Sequence, residues 1–169
     1  MSNVSASPVL PRPLAGWPYV VLGGAVAGTL DLAYICSFWA ARGVGPMRIF
    51  QSVAAGWVGH ETAFAGGVGI AALGLVSHYL IAIAMAATFY LFARRHPALA
   101  RAPFRFGALY GIALFVAMTF AVVPLSAAGR GWPTLQWADL SHLAAHMFLV
   151  GVPCALFARL ALRRGERTR

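Results

Sequence analysis

Acidic residues are scarce in this sequence, and lysine is absent. Of 169 residues only four are Asp or Glu, and all thirteen basic residues are Arg. Soluble domains carry about 25% charged residues, whereas this chain has 10% charged and 60% hydrophobic residues. A soluble domain of this length buries only about two-thirds of its chain surface. The composition therefore argues against a soluble fold and indicates a protein of the lipid bilayer.

Cysteine is also rare, and motifs for catalysis are lacking. Cys36 and Cys154 are too few for a disulfide framework, and both lie in apolar runs, where we expect small core residues. The sequence contains no P-loop and no GxSxG, HExxH or CxxC motif. These absences disfavour an enzyme, and no cofactor is expected from a motif.

Four apolar runs are each long enough to cross a membrane, because about 20 helical residues span the hydrocarbon core. The predicted spans are residues 17–41, 67–93, 106–127 and 140–162. They predict an all-α fold, a four-helix transmembrane bundle with the lipid bilayer as its main partner. Residues 1–16 are expected to form a disordered leader, and residues 163–169 a basic tail.

Arginine is distributed unequally between the two ends of the predicted spans. The positive-inside rule then places both termini in the cytoplasm of a bacterial inner-membrane protein. This clustering at span ends favours membrane orientation over nucleic-acid binding. The predicted inner side holds Arg12, Arg94, Arg95, Arg101, Arg105, Arg159, Arg163, Arg164, Arg167 and Arg169, and the outer side holds Arg42, Arg48 and Arg130.

The connection after the first span predicts a short helix over residues 46–57. Pro46 suits a first helical position. Met47, Phe50, Ala54 and Trp57 follow at helical spacing and form an apolar stripe. The helix is expected to lie flat on the outer membrane interface, and the alternative is a re-entrant segment surrounded by protein or water.

Small residues accompany the ionisable residues inside the spans. Gly24, Gly28 and Asp31 share one helix face, and Gly74 precedes His78 by four residues. Such faces pack closely against another helix. Gly107 and Gly111 form a similar pair in the third span. These faces also suggest a homodimer as a hypothesis.

Helical rise places three ionisable residues at similar depth. At about 1.5 Å per residue, Asp31 lies roughly 20 Å above the inner end of its span. His146 lies roughly 9 Å below the outer end of the fourth span, and His78 about one turn deeper. In a hydrocarbon core about 30 Å thick, Asp31, His78 and His146 are predicted to form a proton-responsive cluster in the outer half, if their helices are neighbours.

The segment around Asp139, His142 and His146 leaves alternatives open. The three residues fall on one helix face, so they could form a metal site. Asp139 is also a natural N-cap for a helix that begins at Leu140, and His142 is near enough to the surface to be solvated. A bis-histidine haem held by His78 and His146 is a further hypothesis, and simple hydrogen bonding between helices is another.

A series of landmarks follows in order along the second half of the chain: His78, Phe89-Tyr90-Leu91, Pro97, Gly107-Ala108-Leu109-Tyr110-Gly111, Val123-Pro124-Leu125, Trp137 and His146. In this order the chain resembles the YagU-like family of small bacterial inner-membrane proteins, a domain of unknown function. The resemblance covers roughly residues 75–165 and implies a helical inner-membrane protein in which His78 and His146 stand out. The family name is associated with acid resistance, and no catalytic activity or cofactor is implied.

Overall fold

The computed structural model describes residues 16–129 and 131–167 of the chain. The regular elements of this part are seven helices. The predicted leader lies outside the described residues except for Gly16, as do Arg12, Arg130 and the last two residues of the predicted tail. The all-α prediction is confirmed.

Four of the helices are long and apolar enough to cross a membrane, so the chain is a multi-pass membrane protein. We call them the first to fourth spans: Trp17–Ala40, Val68–Arg95, Pro103–Leu125 and Trp137–Arg164. The helix of the fourth span continues to Arg167. Three short helices connect the spans: Pro46–Val58, which we call the outer helix, His60–Ala65 and Ala98–Arg101.

Two spans begin three residues earlier than the apolar runs predict. The third begins at Pro103, because proline at the first position needs no N–H partner and its fixed φ suits a helix. The fourth begins at Trp137, and its N-cap is Gln136. The prediction that Asp139 is the N-cap is therefore wrong. Asp139 lies one turn into the helix, where its carboxylate accepts a hydrogen bond from the Gln136 backbone N–H at 2.6 Å.

The fourth span contacts the other three spans, and the first and second spans also pack on each other. Glycine allows these close contacts. A Cβ on Gly24 would collide with the backbone of Ile83, and one on Gly28 would lie 3.1 Å from the ring of Tyr79. The face predicted from Gly24 and Gly28 therefore meets the second span, as small residues at a helix interface should.

The third and fourth spans approach each other most closely at Gly107, Gly111 and Gly151. A Cβ on Gly111 would overlap the carbonyl oxygen of His146, and one on Gly151 would overlap that of Gly107. The small-residue faces are thus used for packing inside one chain. They no longer argue for a homodimer, which stays a prediction.

The outer helix packs against the second span. The carbonyl of Phe50 lies directly over Gly74, so that no side chain fits at this glycine. The indole N–H of Trp57 donates to Ser77 Oγ at 3.1 Å. Of the predicted apolar stripe, Ala54 is buried but Met47 and Trp57 are exposed. The stripe is therefore not the packed face, because the outer helix is oriented by its backbone contact with Gly74.

The glycine contact between the third and fourth spans predicts a specific stability effect. Gly111→Ala should destabilise the protein by about 1–3 kcal/mol, the usual cost of overpacking, because its Cβ has no room beside His146. The matched control is Gly69→Ala, since a Cβ on this helical glycine meets nothing within 4 Å. Thermal unfolding in mild detergent measures both variants, and equal melting temperatures for the two would contradict the packing described here.

Candidate functional site

A cavity of about 330 Å³ lies between the outer helix and the four spans. Most of its lining is aliphatic, from residues such as Ile35, Ile81 and Val150. Each of the five helices also contributes one polar side chain, which gives the cavity a polar region inside an apolar wall. These side chains are Asp31 from the first span, Ser52 from the outer helix, His78 from the second span, Thr119 from the third and His146 from the fourth.

The three ionisable residues predicted to converge do line this one cavity. Asp31 is half-buried, and within residues 16–129 and 131–167 it takes part in no hydrogen bond or ion pair. A carboxylate at the centre of a membrane helix costs about 2.5–3.5 kcal/mol on insertion scales and usually faces the bundle interior. The cavity gives Asp31 a polar surrounding that lipid would not provide.

His78 is tied to the first span through the backbone. Its Nε2 lies 2.9 Å from the carbonyl oxygen of Gly28, which is one helical turn below Asp31. A carbonyl can only accept, so Nε2 carries the proton. Nδ1 then has no partner in the described part of the chain. This contact agrees with the depth predicted for His78, one turn deeper than Asp31.

His146 is held by its own helix. Its Nδ1 lies 3.0 Å from the carbonyl oxygen of His142, one turn earlier, and the edge of its ring packs on Phe115 with the centroids 5.7 Å apart. By the same reasoning Nδ1 is the protonated nitrogen. Nε2 has no protein partner among the described residues. Each cavity histidine therefore uses one ring nitrogen for structure and keeps the other one unpartnered.

Two widened helical turns shape the cavity wall. The third span is π-helical over Met118–Val122, and the fourth is π-helical over His146–Gly151. Each π segment is followed directly by a Val-Pro pair, at Pro124 and at Pro153. Proline lacks an N–H, and its ring clashes with the carbonyl four residues earlier. A wider turn relieves this clash, and π turns are frequent at functional sites.

His142 lies beside the cavity residues but belongs to a different cluster. Its Nδ1 is 3.0 Å from the hydroxyl of Tyr34, and that hydroxyl donates to Ser141 Oγ at 2.8 Å. The rings of Tyr34 and Phe38 pack against the imidazole at centroid distances of 5.6 and 4.6 Å. His142 is therefore half-buried between aromatic rings, and the expectation of a simply solvated side chain is wrong.

The structure does not assemble the metal set proposed from the sequence. Among residues 16–129 and 131–167, no group of three or more His, Cys, Asp and Glu side chains could hold a metal ion. Asp139 caps the helix start, His142 bonds to Tyr34, and His146 bonds to the His142 carbonyl. The helical spacing is as predicted, but the side chains point to different partners.

Sequence reasoning missed several residues that build the site. Ser52 and Thr119 line the cavity, and Tyr34 orients His142. Hydroxyl residues are common in membrane helices, so nothing in the sequence distinguished these three. The two Val-Pro pairs were a usable pattern, because a proline inside an apolar helical run predicts a distorted turn just before it.

The lack of a three-ligand cluster predicts the metal content of the purified protein. We expect no stoichiometric metal ion in protein purified from membranes in mild detergent. Elemental analysis measures this, beside His146→Ala and the control His96→Ala, which changes an exposed histidine. A metal ion retained in the control but lost with His146 would contradict the prediction, and an absorption spectrum of the same samples tests the two-ligand haem hypothesis for His78 and His146 separately.

Comparisons with known proteins identify no relative of this chain. It matches no protein-family model, no curated protein and no solved structure. The resemblance to the YagU-like family therefore stays a prediction, and the function is inferred from the cavity itself.

Proposed function

We propose that this chain is a non-enzymatic protein of the bacterial inner membrane that binds and releases protons at its cavity. Asp31, His78 and His146 are the groups that exchange them. One observation carries the proposal: three ionisable side chains from three separate spans line a single cavity. Ionisable residues inside membrane helices are rare and usually mark proton or ion sites.

The unpartnered atoms of the cluster suit proton binding. The Asp31 carboxylate, His78 Nδ1 and His146 Nε2 are free to take up a proton in the described part of the chain. Histidine titrates near neutral pH. With both imidazoles neutral, Asp31 leaves the cavity with one negative charge. A single proton shared within the cluster neutralises that charge. It therefore removes the free-energy cost of holding a charge in a medium of low dielectric constant.

Other titratable and charged groups near the cluster are on the fourth span, on the outer helix and in the turn after the first span. His142 is close enough to interact electrostatically with Asp31, His146, Asp139 and Arg42. Arg48 on the outer helix bonds instead to the Phe64 carbonyl at 3.2 Å, away from the cavity lining. The only polar side chain that the third span contributes to the lining is Thr119. The response to pH is therefore centred on the first, second and fourth spans.

The arginine distribution supports the proposed orientation. Gly16 lies beside Tyr90 and Ala161, so the start of the first span and the ends of the second and fourth are at one end of the bundle. By the positive-inside rule this end is cytoplasmic. The cavity then lies in the outer half of the membrane, where external acid would reach it first. Exposed arginines at or near the inner end are Arg94, Arg95, Arg101, Arg105, Arg163 and Arg164, whereas the opposite end has Arg42 and Arg48.

A structural role for the histidines is the second candidate. The bond from His78 to the Gly28 carbonyl joins two spans and would add to bundle stability, whereas the bond from His146 to the His142 carbonyl only fixes the ring on its own helix. Polar contacts between membrane helices contribute about 0.6 kcal/mol on average. If this were their whole role, the unpartnered nitrogens would have no function, and protonation of one ring would not affect protonation of the other.

Histidine NMR distinguishes these two candidates. In protein with ¹³C-labelled histidine, the signals of His78 and His146 should respond to pH as a coupled pair. Asp31→Asn should change both curves, because it removes the carboxylate next to them. His60 and His96 do not line the cavity and serve as internal controls. Curves for His78 and His146 that stay unchanged in Asp31→Asn would leave only the structural role.

The orientation has its own test in cysteine labelling. In a background with Cys36→Ala and Cys154→Ala, a membrane-impermeant maleimide should label Glu61→Cys in intact cells. It should label Arg101→Cys only after the membrane is permeabilised, because the two positions lie at opposite ends of the bundle. The reverse pattern would place the cavity on the cytoplasmic side and overturn this part of the proposal.

A further inference from the structure

A second cavity of about 610 Å³ adjoins the first. The two share five lining residues: Ser52, Val53, Ile81, Met118 and Val123. The second cavity extends past Trp57 and Val122 to Ser126 and Ala128, beyond the outer end of the third span. The combined space therefore has a polar end at Asp31 and a long apolar end. Volumes of this size match small-molecule sites.

The polar end offers mainly hydrogen-bond acceptors. The Asp31 carboxylate accepts only, and the two neutral imidazoles present His78 Nδ1 and His146 Nε2, which are lone pairs once the other nitrogens donate to carbonyls. The hydroxyl of Ser52 already donates to the Ile49 carbonyl at 2.7 Å. The hydroxyl of Thr119, which also lines this cavity, can donate. Acceptors still outnumber donors at this end, so a ligand that donates hydrogen bonds matches it best.

Charge further restricts the class of ligand that fits the cavity. Neither cavity is lined by an arginine, so no fixed positive charge balances Asp31 within the lining. A cationic donor would provide this balance away from water. A bare metal ion fits poorly, because no three ligand side chains are grouped in the described part of the chain. A neutral donor such as a diphenol would satisfy the acceptors and leave the carboxylate uncompensated.

We propose that the joined cavities bind a lipophilic organic ammonium ion. Its N–H group lies against Asp31, His78 and His146, and its apolar body fills the space toward Trp57. The ammonium group of a lipid and that of a free amine share this chemistry. This proposal rests on the proposed function, because the acceptor atoms that would bind the ammonium group are the same atoms that would bind a proton. The two therefore compete, and acid should release the ligand.

The test uses a matched set of naphthalene probes with the full chain in phosphatidylglycerol nanodiscs at one pH near 7.5. The cation is N,N-dimethyl-1-naphthylmethylamine in its protonated form. The neutral analogue is 1-(methoxymethyl)naphthalene, and the neutral donor is 1,4-dihydroxynaphthalene. Calorimetry measures the binding of each probe. We expect saturable binding of the amine and no saturable binding of the two neutral probes. Asp31→Asn should weaken it by about tenfold or more, since hydrogen bonds to charged groups are worth this much.

Two further variants separate the ligand site from the proton site. Ser52→Phe places a ring in the space that both cavities share and leaves all three ionisable groups intact, so amine binding should be lost while the histidine titrations persist. The matched control is Ser37→Phe. Like Ser52, Ser37 is exposed, and its hydroxyl donates only to a carbonyl of its own helix, at Ala33. Unlike Ser52, it does not line either cavity. This control should bind the amine normally.

The outcomes decide the proposal as follows. Binding of the dihydroxynaphthalene without the amine, or of no probe, would overturn it even if the histidines titrate as a coupled pair. Amine binding that Asp31→Asn does not weaken would also overturn it. Weaker amine binding in phosphatidylethanolamine nanodiscs than in phosphatidylcholine nanodiscs, which have the same net charge but no N–H group, would support it, with the lipid ammonium group as the natural ligand. Equal binding in both lipids would support it with a free amine as the ligand.

Discussion

Contact between helix backbones at glycine holds this bundle together. Lipid is as apolar as leucine, so no hydrophobic force drives one membrane helix onto another, and close packing must provide the attraction. Gly24 brings the first span onto the second, Gly74 seats the outer helix, and Gly111 brings the third span against the fourth. Because these contacts involve backbone atoms, they fix helix position and rotation. The position and rotation of each helix in turn determine the direction in which its polar side chains point.

The cavity exists because this close packing is interrupted. Pro124 near the end of the third span and Pro153 near the middle of the fourth each follow a π-helical turn, and the widened turns carry Met118, Thr119 and His146 into the cavity wall. On the side of the fourth span that faces the third, the glycine contacts keep the two helices tightly packed, with Gly111 against His146 and Gly151 against Gly107. The bundle thus combines a dense inner half, with buried residues such as Ala155 and Ala158, and an outer half that leaves room for a ligand.

The electrostatics of the cavity connect its two proposed roles. An ionised Asp31 would introduce a negative charge that no arginine in the cavity lining neutralises, and the neutral imidazoles would present lone pairs to the same cavity. A proton and an ammonium ion are two ways to satisfy the same acceptors. A site of this kind would respond to external acid by changing what occupies it, and this physical link would couple pH to ligand binding without any catalytic step.

The sequence by itself determined the membrane class and the four spans, and it predicted the depth of the ionisable residues, because hydropathy and helical rise are local properties. It did not identify Gly151, but it identified these other close-packing glycines: Gly24, Gly28, Gly74, Gly107 and Gly111. Only the tertiary structure decided which side chains meet. Asp31, His78 and His146 line one cavity, whereas Asp139 and His142 turn to Gln136 and Tyr34. Helix spacing gives a residue its face and its depth. Its partners depend on which helices are neighbours and how each is rotated, and backbone contacts far along the chain fix both.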